Sequence, residues 1–415
     1  MPVIGSIDLP GDKSISHRSL ILAALANGES IIHNLSTGDD VKSTINCLLD
    51  CGIKSRKNNG SIYISGGKLQ TPAVPLDCGN SGTTARLLVG LLVGQGIKAD
   101  FIGDSSLSCR PMDRITVPLS KMGANIVSFR GKMPLSISNN PLDGINYILP
   151  FASAQVKSCI MFAALGAKSK TEIIEPIKTR DHSEIMFKSL GHDVSVLKNK
   201  ISIAPLKKKF KPFELTVPGD PSSASFFAAA AAMIPNSDVT IKNISANPTR
   251  IGFFRVLEKM GGGVVWKNIH KKFGELVGDV QVYYQPLHGI SISRNEIPSV
   301  IDELPIIAVL GSIADGYTVI DGAEELRVKE TDRIHAVCKN LLDMGVDIIE
   351  RKDGFVINGP NILQSASIES FGDHRISMAF TIAGLSAGSF NKIDDMNCVD
   401  ISFPEFLDKL RSINR

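Results

Sequence analysis

The sequence Leu9-Pro10-Gly11-Asp12-Lys13-Ser14 leads into a run of small apolar residues at positions 20–26. A very similar phrase, Pro218-Gly219-Asp220-Pro221-Ser222-Ser223, leads into an apolar run at positions 226–233. Both phrases contain Pro-Gly-Asp followed by a serine, which indicates that the two halves of the chain are related. A repeated phrase of this kind favours a repeat architecture over any other interpretation.

Four further copies of the phrase lie at intervals of about 70 residues, a spacing typical of repeated structural units. They occupy positions 78–83, 150–155, 301–305 and 372–375, each before its own apolar run. A more polar helix is predicted after each apolar run, at residues 39–49, 114–121, 182–190, 250–259, 333–342 and 404–410. Glycine follows the first five of these helices and fits a left-handed C-terminal cap.

Sequence with β-branched residues follows the polar helices, as in Ala124-Asn125-Ile126-Val127-Ser128-Phe129, and favours strands. Each unit is therefore predicted to be a strand, an apolar helix, a strand, a polar helix and a hairpin. The apolar helices should be buried and the polar helices should lie outside them. Six units predict an α/β protein of two domains with three units each, and a ligand is expected in the cleft between the domains.

Length and composition agree with a two-domain globular protein, because 415 residues exceed what one ordinary core accommodates. The formal net charge of +3 gives no support for a nucleic-acid binder. Seven scattered cysteines without a Cys-x-x-Cys pair favour reduced thiols. The N-terminus lacks the features of a signal peptide, and the apolar runs are shorter than the roughly 20 residues of a membrane span. We therefore predict a cytoplasmic protein without membrane association.

The first phrase continues as Asp12-Lys13-Ser14-Ile15-Ser16-His17-Arg18, which places two cations at the start of a helix. Free backbone N–H groups at a helix N-terminus favour an anion, and Arg18 lies one turn after Ser14 on the same face. The phrase resembles a nucleotide P-loop only in its Lys-Ser pair, because Gly-x-x-x-x-Gly-Lys is absent. A solvated helix cap is the alternative interpretation.

The second motif is Gly79-Asn80-Ser81-Gly82-Thr83-Thr84-Ala85-Arg86. Its glycines let the backbone approach a ligand closely, and the helix that follows points its N-terminus at that ligand. Arg86 offers a planar group suited to a carboxylate or phosphate. Gly-rich turns before helices are common, so this motif alone is only moderately specific.

Further basic residues occupy comparable places in other units, namely Arg110, Arg180, Lys329, Arg333 and Arg375. Each alone is more simply a surface ion-pair partner, but their recurrence at unit junctions suits a substrate with several negative charges. The acidic residues Asp302 and Glu330 lie among these cations in the sequence. Asp302 could instead be a helix N-cap, and Glu330 could instead be a helix-surface residue. The histidines show no metal-ligand spacing, so no metal is predicted.

Together the motifs resemble those of the 5-enolpyruvylshikimate-3-phosphate synthase family, and the resemblance extends over nearly the whole chain. Its motifs are Gly11-Asp12-Lys13-Ser14-Ile15-Ser16-His17-Arg18, the Gly79–Arg86 segment with Leu87, Arg327-Val328-Lys329-Glu330-Thr331-Asp332-Arg333, and Gly372-Asp373-His374-Arg375. The patterns Thr179-Arg180-Asp181-His182 and Ala152-Ser153-Ala154-Gln155-Val156-Lys157 resemble its bacterial branch called class II. The resemblance implies the enolpyruvyl transferase fold, with two inside-out α/β domains, each of three βαβαββ repeats.

The resemblance also implies a division of labour. Residues 13–219 would form the domain that mainly binds shikimate 3-phosphate, and residues 1–12 with 220–415 would supply catalytic carboxylates and phosphoenolpyruvate-binding arginines, with hinges near Asp12 and Asp220. Shikimate 3-phosphate would be held by Lys13, Ser14, Arg18, Ser153, Ala154, Gln155, Arg180, Asp302 and Lys329. Phosphoenolpyruvate would be held by Lys13, Asn80, Gly82, Arg110, Gln155, Arg333 and Arg375.

Two positions depart from the family pattern. Ile401 stands where some members have a lysine that contacts phosphoenolpyruvate, and Glu325 stands where others have asparagine. No contact is therefore carried over to Ile401, and the role of Glu325 is open. Gly82 matches the position where a larger residue would crowd the inhibitor glyphosate, so sensitivity to glyphosate is predicted.

The implied reaction adds the 5-hydroxyl of shikimate 3-phosphate to C2 of phosphoenolpyruvate and then expels phosphate. Asp302 is the candidate base for the hydroxyl, and Glu330 with Lys13 would move the proton at the methylene carbon. No organic cofactor is implied, and a monomer that closes over its two substrates is expected.

Two alternatives stay open. The related transferase that acts on UDP-N-acetylglucosamine carries a cysteine five residues before its Arg-Pro motif; here Ser105 occupies that place, and Cys109 directly precedes Arg110. A non-catalytic anion-binding scaffold could use the same repeats, because a fold alone does not determine function. The presence of Asp302, Glu330 and Lys13 together argues against the scaffold.

Overall fold

The computed structural model describes residues 1–388 and 391–413, and the chain forms two compact units. Unit 1 comprises Met1–Asp12, Pro218–Lys272 and Leu276–Arg415, and unit 2 comprises Lys13–Val217 and Phe273–Glu275. The sequence analysis placed the second boundary after residue 219, two residues later than the structure does. It did not anticipate that Phe273–Glu275 belongs to unit 2.

The strands run in chain order as follows: β1 Ile4–Asp8, β2 Gly28–His33, β3 Lys54–Asn58, β4 Ser61–Gly66, β5 Leu76–Asp77, β6 Ala99–Ile102, β7 Asn125–Phe129, β8 Lys132–Ser138, β9 Asn146–Ile148, β10 Thr171–Ile174, β11 Val194–Leu197, β12 Lys200–Ile203, β13 Glu214–Thr216, β14 Asp238–Ser245, β15 Gly263–Lys272, β16 Glu275–Tyr283, β17 Ser291–Ile292, β18 Gly316–Ile320, β19 Asp347–Arg351, β20 Gly354–Gly359, β21 Ser367–Ile368 and β22 Lys392–Ile393.

The helices are α1 Lys13–Leu25, α2 Asp39–Asp50, α3 Gly82–Gly94, α4 Ser105–Cys109, α5 Asp113–Lys121, α6 Ala154–Ala164, α7 His182–Ser189, α8 Pro221–Met233, α9 Gly252–Lys259, α10 Ile297–Val300, α11 Leu304–Ile313, α12 Arg333–Asp343, α13 His374–Ser386 and α14 Phe406–Ile413. Two short 3-10 helices lie at Glu324–Val328 and Asn397–Ile401.

Unit 2 contains three sheets of four strands, in the orders β13-β2-β4-β3, β5-β6-β8-β7 and β9-β10-β12-β11. In each sheet the first two strands pair in parallel and the hairpin strands pair antiparallel. A parallel pair needs a crossover connection, usually a helix, and α3 and α6 provide it for the second and third sheets. The predicted order of strand, apolar helix, strand, polar helix and hairpin is therefore confirmed in this unit.

Unit 1 contains two sheets of the same plan, β1-β14-β16-β15 and β17-β18-β20-β19, and a third sheet with only β21 and β22. The sixth repeat therefore departs from the predicted βαβαββ pattern within residues 1–388 and 391–413. Its polar helix α14 spans Phe406–Ile413, the last residues of the chain that the structure describes.

In two of the sheets, the first strand comes from a part of the chain that is distant in sequence from the other strands. Strand β1 precedes α1 but pairs in parallel with β14, from Ile4 opposite Asp238 to Asp8 opposite Lys242. Strand β13 precedes α8 but pairs in parallel with β2. The two connecting segments pair with one another in unit 1, where the Asp12 N–H donates to the Pro218 carbonyl oxygen over 2.7 Å.

The apolar helices form the centre of each unit. Every residue of α8 except Ser223 is buried, and α3, α6, α11 and α13 are buried over most of their length. The small side chains explain this position, because alanine and glycine let neighbouring backbones approach closely: a Cβ at Gly90 would come within 2.3 Å of the Cys159 carbonyl oxygen. The polar helices are one-sided; α9 buries Phe253 and Leu257 and exposes Arg255.

Candidate active site

In unit 2, the first predicted cation begins helix α1. The Lys13 ammonium group lies 2.8 Å from Asp40 Oδ2, and Asp40 sits in the first turn of α2. Only 20% of the Lys13 side chain is exposed. The acidic residue at the start of one helix thus fixes the cation at the start of its neighbour, and sequence analysis had not singled out Asp40.

Arg18, one turn further along α1, is almost completely buried. Its guanidinium donates from Nε to Ser183 Oγ (2.8 Å), from Nη1 to the Ser14 carbonyl oxygen (2.8 Å) and from Nη2 to Ser158 Oγ (2.7 Å). The bonds to Ser158 and Ser183 connect α1 to α6 and α7, and the bond to Ser14 lies within α1. The arginine is therefore held in one orientation by the protein itself.

The loop before α3 brings together the second set of predicted residues. Asn80 Oδ1 accepts a hydrogen bond from Arg110 Nη2 at 2.9 Å, and Asn80 Nδ2 donates to Asp104 Oδ2 at 2.6 Å. Arg110 directly follows α4, a short helix that sequence analysis did not predict. Asp104 caps that helix through the Leu107 N–H, so one carboxylate orients both the helix and the asparagine.

Gly82 is the first residue of α3 and lies close to two guanidinium groups. A Cβ placed on it would come within 2.9 Å of Arg86 Nη1 and 3.2 Å of Arg110 Nη1. Arg86 donates to Gln155 Oε1, and Gln155 Nε2 donates to Thr83 Oγ1 at 2.9 Å. Glycine at this position leaves room for both cations and for an anion beside them.

Helix α6 supplies the remaining predicted residues of unit 2. Ser153 caps the helix by accepting a hydrogen bond from the Val156 N–H at 3.3 Å, and Ala154 is its first residue. Arg180 lies half-buried in the loop between β10 and α7. Contacts of several residues bring helix starts together in this unit. We name these residues the unit 2 cluster: Lys13, Arg18, Asn80, Gly82, Arg110 and Gln155.

In unit 1, Asp302 lies among three cations. Its carboxylate oxygens are 3.7 Å from Lys329 Nζ, 3.6 Å from Arg333 Nη1 and 3.9 Å from Arg375 Nη2. Arg375 also donates from Nη1 to the Asp302 carbonyl oxygen at 3.0 Å. The residue predicted as a base is thus surrounded by positive charge, which favours its ionised form.

Arg333, the first residue of α12, is fixed by two other carboxylates. Its Nε donates to Asp373 Oδ2 at 2.7 Å, and its Nη2 donates to Glu330 Oε2 at 2.7 Å. Burial would lower the pKa of Arg333, but Asp373 and Glu330 outweigh burial and raise that pKa above its ordinary value. Arg333 therefore stays charged. We name Asp302, Lys329, Glu330, Arg333 and Arg375 the unit 1 cluster.

The pKa of Lys329 is shifted in the opposite direction to that of Arg333. Desolvation lowers its pKa below the ordinary lysine value and Arg333 adds to the lowering, whereas Asp302, Glu330 and Glu325 oppose it. The side chain is 28% exposed. The departure at Glu325 thus places an additional negative charge near Lys329.

Sequence reasoning missed the residues that orient these clusters, namely Asp40, Asp104, Glu303 and Asp373. A common signal was available, because each of the four stands at or next to the start of a helix. Ile401, the other departure, ends the second 3-10 helix.

Two further findings concern what the described residues lack. In residues 1–388 and 391–413 no helix is long and apolar enough to span a bilayer. The same part of the chain contains no group of three or more His, Cys, Asp or Glu residues arranged to hold a metal ion.

Comparisons with known proteins agree with this geometry. The protein-family model described as EPSP synthase (3-phosphoshikimate 1-carboxyvinyltransferase) matches residues 1–410. A 3-phosphoshikimate 1-carboxyvinyltransferase of Thermoanaerobacter sp. (strain X514) is 45% identical over 405 residues, covering 97% of this chain and 96% of the relative. The protein of that name from Persephonella marina (strain DSM 14350 / EX-H1) is 44% identical over 418 residues, covering 99% and 96%.

Solved structures are similar over the same length. An EPSP synthase from Acinetobacter baumannii superposes with a TM-score of 0.88 at 39% identity, covering 99% of this chain and 96% of that chain. The enolpyruvyl transferase NikO from Streptomyces tendae superposes with a TM-score of 0.79 at 14% identity, covering 99% and 95%. The second similarity concerns the fold alone.

Proposed function

The chain belongs to the EPSP synthase family, and from that premise we propose that it transfers the enolpyruvyl group of phosphoenolpyruvate to the 5-hydroxyl of shikimate 3-phosphate. Phosphate is the second product. The observation that carries the proposal is the unit 1 cluster, in which the Asp302 carboxylate lies within 4 Å of three cations. A carboxylate held in this way can accept a proton while the cations stabilise anionic substrate groups.

The two substrates are assigned to side chains as the family resemblance suggests. Shikimate 3-phosphate is bound by Lys13, Ser14, Arg18, Ser153, Ala154, Gln155, Arg180, Asp302 and Lys329, and phosphoenolpyruvate by Lys13, Asn80, Gly82, Arg110, Gln155, Arg333 and Arg375. The buried guanidinium groups, held by hydrogen bonds to neighbouring oxygen atoms, support this assignment, because preorganised donors need little reorganisation when an anion binds. The helix starts that carry them add free N–H groups.

The proposed chemistry is an addition followed by an elimination. Asp302 accepts the hydroxyl proton as the oxygen bonds to C2 of phosphoenolpyruvate, and the methylene carbon C3 takes up a proton. The C2–O bond to phosphate then breaks with its electron pair, and C3 returns a proton to restore the double bond. We assign the first transfer to Lys13, 2.8 Å from Asp40, and the second to Glu330, 2.7 Å from Arg333.

The decisive assay measures phosphate release from phosphoenolpyruvate with shikimate 3-phosphate as the acceptor. UDP-N-acetylglucosamine, the acceptor of the related transferase, serves as the comparison. We expect release with the first acceptor and none above background with the second. The reverse pattern would assign the chain to the alternative reaction, and no release with either would favour an anion-binding scaffold. A monomeric, cytoplasmic enzyme stays our prediction.

The role of Asp302 makes a specific prediction for its isosteric variant. Asp302→Asn keeps the backbone carbonyl that Arg375 contacts but removes the base, so turnover should fall by roughly 100- to 10,000-fold, the usual range for a general base. Asp315→Asn changes an exposed residue just after α11, the helix that Asp302 precedes; it is the matched control and should leave turnover unchanged. Near-normal turnover of Asp302→Asn would remove Asp302 from this role.

A further inference from the structure

A buried ionic triad lies beneath the unit 2 cluster. Lys157, in the second turn of α6, has no exposed side-chain surface. Its ammonium group lies 3.1 and 2.9 Å from the two carboxylate oxygens of Glu175 and 2.7 Å from Glu184 Oε1. Burial would lower the pKa of Lys157, but the two carboxylates raise it above its ordinary value, so the lysine is charged.

Burying three charged groups costs free energy of desolvation, which suggests a role beyond stability. Replacing a buried ion pair by apolar residues of similar size is often neutral or stabilising. Glu184 Oε2 is buried without a hydrogen bond, which adds to the cost of the arrangement.

Glu175 closes the turn that leads to Arg180. Glu175 directly follows β10, and its Oε2 accepts hydrogen bonds from both the Thr179 N–H (3.2 Å) and the Thr179 hydroxyl (2.8 Å). Two donors from one residue fix both the backbone and the side chain at the end of the turn. The next residue is Arg180, so its Cα position is set by the carboxylate.

Glu184, in α7, contacts the Lys157 ammonium group as Glu175 does. The residues beside these two, Ser158 and Ser183, hydrogen-bond to each other at 2.7 Å and both accept from Arg18. Lys157 therefore aligns α6 with α7 at the place where the Arg18 guanidinium is held. The triad therefore connects the residues that hold Arg18 with those that precede Arg180, and both arginines are predicted to bind shikimate 3-phosphate.

We propose that Glu175, oriented by Lys157, is a positioning residue that presents Arg180 to shikimate 3-phosphate. The inference rests on the proposed function for the identity of the substrate. Glu175 acts through Arg180 and does not touch the substrate. Its loss should therefore weaken the binding of shikimate 3-phosphate selectively, with little effect on phosphoenolpyruvate.

The test removes a single hydrogen bond without changing the volume of the side chain. Thr179→Val deletes the hydroxyl donor to Glu175, and we expect KM and Kd for shikimate 3-phosphate to rise about 3- to 20-fold, since a hydrogen bond to a charged group is lost. KM for phosphoenolpyruvate and kcat should change by less than about twofold on the same reasoning. Thr179→Ser restores the donor and should recover binding.

Thr171→Val is the matched control. Thr171 begins β10, the strand that Glu175 follows, and its hydroxyl is buried without a hydrogen-bond partner. This substitution therefore removes a buried hydroxyl from the same strand without touching the turn. It should leave both KM values unchanged.

Hydrogen exchange of the backbone at residues 175–181 gives a readout that needs no substrate. We expect faster exchange there in Thr179→Val than in the wild type or Thr171→Val. Unchanged exchange, or equal effects on the two KM values, would overturn the positioning role. A wild-type protein that does not bind shikimate 3-phosphate would instead contradict the proposed function, and with it the presentation of Arg180 to that ligand.

Discussion

At the scale of single residues, Gly82 shows how little space the unit 2 cluster leaves. A Cβ at this position would lie 2.9 Å from Arg86 Nη1 and 3.2 Å from Arg110 Nη1, so Gly82→Ala must displace guanidinium groups. Overpacking of this kind typically costs about 1 to 3 kcal/mol, so we expect KM for phosphoenolpyruvate to rise roughly 5- to 100-fold. Steady-state kinetics with each substrate varied in turn would measure the effect.

The control for this prediction is Gly67→Ala, because a Cβ at Gly67 meets no atom within 4 Å. Glyphosate inhibition can be measured on the same variants. We expect Gly82→Ala to lose sensitivity to glyphosate and Gly67→Ala to retain it. Equal sensitivity in the two variants would show that Gly82 does not border the inhibitor.

Lys329 should impose an alkaline limit on substrate binding. Because burial lowers its pKa, Lys329 loses its charge at a lower pH than an ordinary lysine, whose pKa is about 10.4. The Kd for shikimate 3-phosphate should therefore rise within the range between neutral pH and the ordinary lysine pKa, as the neutral form accumulates. Titration calorimetry across this range would measure the rise.

Substitution by arginine separates Lys329 from other titrating groups. Arginine stays protonated in this range, so Lys329→Arg should bind more weakly at neutral pH but lose the alkaline rise in Kd. Lys339→Arg, at a half-buried position of α12 where the lysine pairs with Asp343, should keep the wild-type pH profile. An alkaline rise that persists in Lys329→Arg would assign it to another group.

At the scale of elements, helix starts organise both clusters. Lys13, Gly82 and Ala154 begin α1, α3 and α6 in unit 2, and Arg333 begins α12 in unit 1. Backbone N–H groups without intrahelical partners lie at each of these starts, and the inner helices are close enough for their first turns to bond to each other. A repeat built this way brings several anion-binding ends together without long loops.

The repeated phrase was sufficient to predict these elements, because apolar runs of small residues identify inner helices whatever lies around them. In the sixth repeat, the described residues form the two-stranded sheet β21-β22 and the helix α14 in place of a complete βαβαββ unit. The helix starts mark the partner carboxylates as candidates, but the cation that each carboxylate binds could not be predicted from the sequence. Arg333 binds Asp373, which lies 40 positions away, and only the packing of α12 against α13 brings the two together.

Arg250 connects three elements of unit 1. Its guanidinium lies 2.9 Å from Asp12 Oδ2, 2.7 Å from Asp220 Oδ1 and 3.1 Å from Ser222 Oγ, at the end of one connecting segment and the start of α8. Arg250→Gln removes a cation that two buried carboxylates contact. We expect a loss of about 3 to 5 kcal/mol in unfolding free energy, the range found when one partner of a buried pair is removed.

Urea denaturation with a single midpoint analysis would measure this loss. Arg255→Gln is the matched control, because Arg255 lies five positions later on the exposed face of α9. The control should shift the unfolding free energy by no more than about 0.5 kcal/mol. A similarly small shift for Arg250→Gln would mean that the carboxylates at the connecting segments do not depend on this arginine.

At the scale of the whole molecule, the net charge is a poor guide to where anions bind. The formal charge is only +3, yet Arg18, Arg110, Arg333 and Arg375 are all buried or nearly so. These arginines are oriented by hydrogen bonds to particular partners. Attraction of polyanionic substrates should therefore come from local fields and not from the overall charge.

We therefore expect KM for shikimate 3-phosphate to depend on the salt concentration, and we expect exposed charges elsewhere on the surface not to control this dependence. Raising the salt concentration from 0.05 to 0.5 M should increase KM for shikimate 3-phosphate about 3- to 10-fold, because screening shortens the range of the site's field to a few ångströms. The double variant Lys208→Gln/Lys209→Gln removes two exposed positive charges from unit 2 and so most of the net charge of +3. We expect its KM to follow the wild-type curve at every salt concentration. A double variant whose KM at low salt already equals the wild-type value at high salt would show that the field of the whole surface attracts the substrate.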